Sequence, residues 1–425
     1  LRIQRAIIWM LTLVAVAACA RSAPVKLTRV AVGPTEPAVW RPAVTATVTS
    51  AAEPTDVDFL PFIGREGAFP TATQTVTATP PPATATAPPP TPTPVPWPEA
   101  IDTLTESKLG IHSLGTGDPF LMEFVRRAKP RVVKAVGDYG WLLEVKQASP
   151  DTITIARIVG NQETWFTQGY APEAAARNYV ETYLPEYRAN AGVDYWEGWN
   201  ELAYGDGEQS TKLAWYGKFE AARACLMQEY GFRAAVGGFA VGWPAAYADW
   251  EYFMPAVQAA ARCNGILHLH EYNRPFMRCG VMLPGTAGVI PGAPAFRVET
   301  GPYTLRYRVW YEGYLKPRGL GNVPLVISET GVDAVPVSAG CPDPGADRIT
   351  WQAMGDAYQS AGSTVGTPES YVNDLAWYDA RLREDPYVLG ATIFSAGQPS
   401  TTDGWGLFDI HQAFVPLAWY LVSQR

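Results

Sequence analysis

From residue 99 to the end, the chain switches eight times between a short, β-rich apolar run and a helical stretch. Strict strand–helix alternation argues for parallel strands joined by crossover helices. The expected strands are 109–114, 131–136, 152–159, 193–200, 233–240, 266–272, 324–329 and 388–395. Helices are expected between them: Pro172 sits in the first turn of one, and Gly231 stops another that begins near Ser210. Eight such units in about 325 residues match a (β/α)8 TIM barrel. A doubly wound open sheet is the competitor, and it would place a glycine-rich phosphate loop after the first strand. The segment Gly115-Thr-Gly117-Asp118-Pro119 lacks the third glycine. Active sites of such barrels lie at the C-terminal strand ends. That rule alone selects His112, Lys134, Arg157, Asn200, Glu201, His270, Glu271, Tyr272, Glu329 and Ser395.

Residues 1–98 have a different character. Arg2 and Arg5 precede an uncharged run from Ala6 to Ala18, too short to span a bilayer and suited to a secretory signal over 1–18. Val16-Ala17-Ala18-Cys19 resembles a bacterial lipobox, which implies lipidation of Cys19 and attachment to a membrane by that anchor. The alternative is an ordinary signal with an Ala-rich cleavage site; both readings place the protein outside the cytoplasm. Residues 19–98 read as a disordered Thr/Pro/Ala-rich linker. Of the 28 residues in 71–98, 19 are Thr or Pro and none is charged. Such a stretch cannot bury enough apolar surface to offset its ordering entropy. Polyproline II at ~3.1 Å per residue would let it reach about 90 Å.

From Glu99 onward there are 26 Lys and Arg against 36 Asp and Glu, a net charge of −10. Phosphate backbones are held by clustered cations, so a nucleic-acid partner is not expected. Beyond Cys19 the cysteines are Cys225, Cys263, Cys279 and Cys341. Cys279 and Cys341 lie in Pro/Gly-rich segments after successive strands and form the preferred pair; Cys225 reads as a buried thiol.

Two phrases carry the chemistry: Trp196-Glu-Gly-Trp-Asn200-Glu201 and Leu325-Val-Ile-Ser-Glu329-Thr330. Each is expected to end a strand with a glutamate, the fourth and the seventh, whose ends face each other across an eight-stranded mouth. Two carboxyl groups so placed can cleave a glycosidic bond with retention, one as acid/base and one as nucleophile, when about 5–5.5 Å apart. Asn200 can hold the hydroxyl next to the reacting carbon.

These motifs resemble those of the clan A glycoside hydrolases, retaining (β/α)8 enzymes. The resemblance covers Glu99 to the C-terminus and implies Glu201 as general acid/base and Glu329 as nucleophile. It also implies Tyr272 or His270 of the sixth strand as the residue orienting the nucleophile, and His112 as a substrate contact. Many members carry an arginine on the second strand where this chain has Lys134; Arg157 is another candidate cation. Many also end the eighth strand with tryptophan. Here Phe394 or Trp405 would have to lie beneath the sugar. Trp165, Trp199 and Trp243 also fall near strand ends, where packing and sugar stacking are both open. His268 and His270 share a face, yet with four histidines in the chain and no evident carboxylate partner, neither metal nor cofactor is expected. Glu271 should point away from the barrel axis and serve structure. The expected partner is an oligo- or polysaccharide. A non-catalytic carbohydrate-binding surface protein on the same scaffold is the alternative.

Overall fold

The computed structural model describes residues 95–425, apart from 116, 161–165, 167, 202–208, 356–366 and 398–404. The signal, Cys19, nearly all of the linker and Trp165 lie outside the described residues. The eight strands form a closed barrel in chain order, with every neighbouring pair parallel. β1 (Leu109–Ser113) leads to α1 (Pro119–Ala128), and β2 (Val132–Val136) to α2 (Leu142–Ala148). β3 (Ile153–Arg157) leads to α3 (Pro172–Ala189), and β4 (Tyr195–Glu197) to α4 (Gln209–Glu229). β5 (Ala234–Phe239) passes through a 3-10 segment into α5 (Met254–Arg262). β6 (Ile266–Asn273) is followed by a long loop and α6 (Tyr307–Trp310), which continues as π and 3-10 turns to Arg318. β7 (Leu325–Val332) precedes α7 (Pro368–Arg383), and β8 (Val388–Ala396) precedes α8 (Phe414–Ser423).

Local chemistry sets several of these boundaries. Asp118 caps α1 by accepting from the N–H groups of Phe120 and Leu121, and Pro119 takes the first helical position, where no donor is needed. Thr367 caps α7 through the N–H of Ser370, again followed by proline. The barrel closes where Leu109 pairs with Ala391 and Ile111 with Ile393.

Strand alternation produces two cores. Val132, Ile155, Ala235, Ile266 and Val326 form a small apolar cluster, while Val133, Ala135, Ala156 and Trp196 belong to the larger one shared with Leu121, Phe124 and Phe219 of the helices. Above the small cluster the same faces turn polar: Lys134, Glu197 and His268 follow Val132, Tyr195 and Ile266 at a spacing of two. A packed base under a charged upper half is what positions the site.

Three expectations need correction. β4 is only three residues long, so Asn200 and Glu201 lie beyond it rather than ending it. β7 runs on to Val332, so Glu329 sits within that strand. Cys225 is not a buried thiol: it is bonded to Cys263, because α4 and α5 are adjacent parallel helices whose C-terminal parts meet. Cys279 and Cys341 also pair, and tie the β6–α6 loop to the segment after β7.

Candidate active site

Glu329 is 6 % exposed and is held through both oxygens. Lys134 of β2 donates to Oε1 at 3.0 Å, and the Tyr272 hydroxyl of β6 donates to Oε2 at 2.9 Å. Arg157 at the end of β3 lies 3.6 Å from Oε1, His112 of β1 3.7 Å from Oε1, and His270 of β6 3.5 Å from Oε2. Four other strands therefore converge on one carboxylate of β7. Burial alone would raise its pKa, but the neighbouring His270, Lys134, His112 and Arg157 outweigh it and hold the group below the ordinary range. His112 is itself driven neutral by burial and by the charge of Lys134, so Lys134 and Arg157 supply the lasting positive field.

Glu201 is presented differently. It follows β4 after Gly198, Trp199 and Asn200, and its backbone adopts φ +41°, an uncommon conformation for a residue with a side chain. Its N–H donates to the carbonyl of Gly238 at 2.7 Å, which fixes this bend against β5. A Cβ on Gly198 would lie 2.3 Å from Glu220 Oε1, so only glycine lets β4 end against α4. There the buried Glu220–Arg223 pair of α4 reaches the sheet, with Arg223 donating to the carbonyls of Trp196 and Ala235. Trp199 packs in the core, stacked on Phe219, Tyr216 and Trp215. The Glu201 carboxyl, 28 % exposed, meets His270 Nδ1 at 2.7 Å.

The two carboxyl groups meet. Donor atoms of Glu201, His270 and Glu329 all lie within 4.8 Å of one another. By spacing alone these three could also hold a cation, and His270 has the carboxylate neighbours that the sequence did not reveal. Lys134 and Arg157 beside Glu329 oppose a cation there.

The remaining predicted residues distribute as follows. Asn200 is half-buried directly before Glu201. Trp405 and Phe394 pack edge-to-face at 5.3 Å, and Phe394 reaches His112 at 5.0 Å and Tyr272 at 6.2 Å, so Trp405 joins the site through Phe394. Glu271 faces the helices, accepting from the N–H groups of Leu305 and Tyr307 and from the Tyr378 hydroxyl. Among the described residues, both ring nitrogens of His112, Nη1 of Arg157 and Nε2 of His270 are buried without a hydrogen bond.

Sequence reasoning missed Glu197 and its contact with His268. Glu197 is buried, with Oε2 3.0 Å from Lys134 Nζ and Oε1 3.2 Å from His268 Nδ1. His268 also meets Ser328 Oγ at 3.0 Å. The available signal was parity: Glu197 shares its strand face with Tyr195, and a charged residue inside an apolar run is rarely buried without a partner.

No family model and no curated protein matches this chain. Among solved structures it is similar to N2152 from Neocallimastix frontalis, with a TM-score of 0.37 and 14% identity over 68% of this chain. This chain spans 60% of that protein's length. It is also similar to XacCel5A, solved in complex with cellopentaose, with a TM-score of 0.36 and 12% identity over 74% of this chain and 99% of the other. An endo-beta-1,4-mannanase from Thermotoga petrophila gives 0.35 and 12% over 74% and 77%. Likenesses this distant do not determine a family or a chemistry, which must come from the chain's own residues.

Proposed function

We propose that this chain is a retaining glycoside hydrolase acting on an extracellular oligo- or polysaccharide. The observation that carries the reading is the approach of Glu201 and Glu329 to within 4.8 Å in the barrel mouth. That spacing leaves no room for a water between carboxyl group and sugar and so favours direct attack. Glu329 is the nucleophile. Donors on both its oxygens fix its orientation, and the positive field of Lys134 and Arg157 keeps it ionised. Glu201, partly exposed and hydrogen-bonded to His270, protonates the leaving oxygen and later activates water to hydrolyse the glycosyl ester.

In this reading Asn200, His112 and His270 contact the sugar around the reacting carbon. Lys134 and Tyr272 support the nucleophile, and Trp405 shapes the subsite wall through Phe394. We also propose export by residues 1–18, lipidation at Cys19, and display of a 99–425 catalytic domain on the 19–98 linker.

The deciding experiment is a screen of nitrophenyl glycosides and polysaccharides, with the anomer of the first-formed product followed by NMR. Release with retained configuration is expected. An inverted product would defeat the double displacement, and tight glycan binding without cleavage would favour the non-catalytic alternative.

A further inference from the structure

We propose that Glu197 is a positioning residue that acts as a standing counter-ion to Lys134, keeping that ammonium charged and in place when Glu329 gives up its own charge. The inference rests on the glycosidase reading above. Lys134 Nζ bridges two carboxylates, 3.0 Å from Glu329 Oε1 and 3.0 Å from Glu197 Oε2, and its side chain is fully buried. An ammonium left unpaired in such a place is strongly destabilising, because burial removes its hydration and nothing replaces it.

In the first chemical step an oxygen of Glu329 bonds to the anomeric carbon and the glycosidic C–O bond breaks. Its electron pair leaves with the aglycone oxygen, which takes the proton of Glu201. Glu329 is now a neutral ester, while the new negative charge sits on Glu201, which touches His270 rather than Lys134. Without Glu197, Lys134 would lose its contact counter-ion at that moment. Glu197 prevents this, and is itself held from the other side by His268. Burial lowers the pKa of that imidazole to about 4, so it remains neutral beside Glu197 and does not compete with Lys134 for the charge. The same sharing weakens the hold of Lys134 on the free Glu329 carboxylate, leaving it more nucleophilic.

Two sets of measurements test this. The first needs no substrate: melting temperatures of Glu197→Gln, Glu329→Gln, the double variant, and the double variant with Lys134→Met. Each single variant leaves Lys134 one carboxylate, so the double should melt about 5 °C or more below the sum of the singles, and Lys134→Met should recover most of that excess. An additive double variant would overturn the counter-ion.

The second uses a 2,4-dinitrophenyl glycoside that the wild type cleaves. Glu197→Gln should lower kcat/KM, which reports glycosylation, by about 10- to 100-fold while leaving deglycosylation as fast or faster. The acid limb of kcat/KM should move to lower pH, and Glu197→Asp should restore part of the loss. Equal slowing of both steps with an unmoved acid limb overturns the positioning role. If the wild type cleaves no member of the panel, the glycosidase reading fails by itself, and the melting cycle alone decides whether Glu197 is the counter-ion.

Discussion

Glu271 on β6 and Glu329 on β7 are buried glutamates on paired strands, separated by one step of register: Glu271 lies opposite Thr330. Their chemistry is opposite. Glu271 points outward to backbone N–H groups and a tyrosine hydroxyl, all neutral donors; burial dominates and lifts its pKa to about 7. Glu329 points inward among cations, and burial loses. The difference teaches that burial alone does not set the charge of a carboxylate. The strand face decides which partners a side chain meets, and those partners decide its charge.

The contrast breaks most sharply under substitution. Glu329→Gln should abolish turnover by on the order of 10⁴-fold while the barrel stays folded, and Glu271→Gln should leave kcat within about tenfold of wild type. Comparable losses in both would mean that the inward face has no special role. Glu201→Ala comes next: about 10³-fold for poor leaving groups, much less for dinitrophenolate, with azide restoring deglycosylation. If good and poor leaving groups suffer alike and azide does nothing, Glu201 is not the acid/base. Lys134→Met sharpens the electrostatic half of the comparison. It leaves two buried carboxylates without their shared cation, so urea unfolding should report a loss of about 4 kcal/mol. The acid limb of kcat/KM should also move to higher pH, because the charge holding Glu329 down has gone. A stable variant with an unmoved limb would show that Arg157 suffices.

Much of this is legible in the amino-acid sequence. The eight alternations were visible because Pro and Gly punctuate them and because strands covered on both faces read as short apolar runs. Position alone singles out Lys134, Arg157, His112, His270 and Tyr272, which the structure sets around Glu329. The bend at Asn200-Glu201 was hidden, since Glu201 N–H bonding to Gly238 depends on how two strand ends lie in space. The Glu197–Lys134 contact was hidden for a related reason. It joins β2 to β4 across the barrel interior, and no local pattern encodes the register that brings them together. Cys225 was misread because its partner Cys263 lies in the next helix, where only the parallel packing of α4 and α5 makes them neighbours.

The smallest expected effect is also the cleanest reading of the difference between faces. Glu271 has a folded pKa raised above the unfolded value of 4.5, so its contribution to stability is complete below about pH 4.5 and is lost as pH rises toward about 7. Glu329, depressed, works the other way: its contribution is present above the ordinary glutamate range and is lost progressively as pH falls below that range toward the depressed folded value. Asp374 is also raised to about 7, so the wild-type profile alone would not isolate Glu271. The difference between wild type and Glu271→Gln does. At pH 5 the variant should be less stable by about 1–2 kcal/mol, because its amide NH2 faces the donors of Leu305, Tyr307 and Tyr378. By pH 8 that gap should close or reverse, since ionising the wild-type carboxyl costs it up to about 3 kcal/mol over the same interval. Urea unfolding at the two pH values reads both quantities. Parallel profiles would mean that Glu271 does not titrate between them, and that its outward setting differs from that of Glu329 in partners but not in charge.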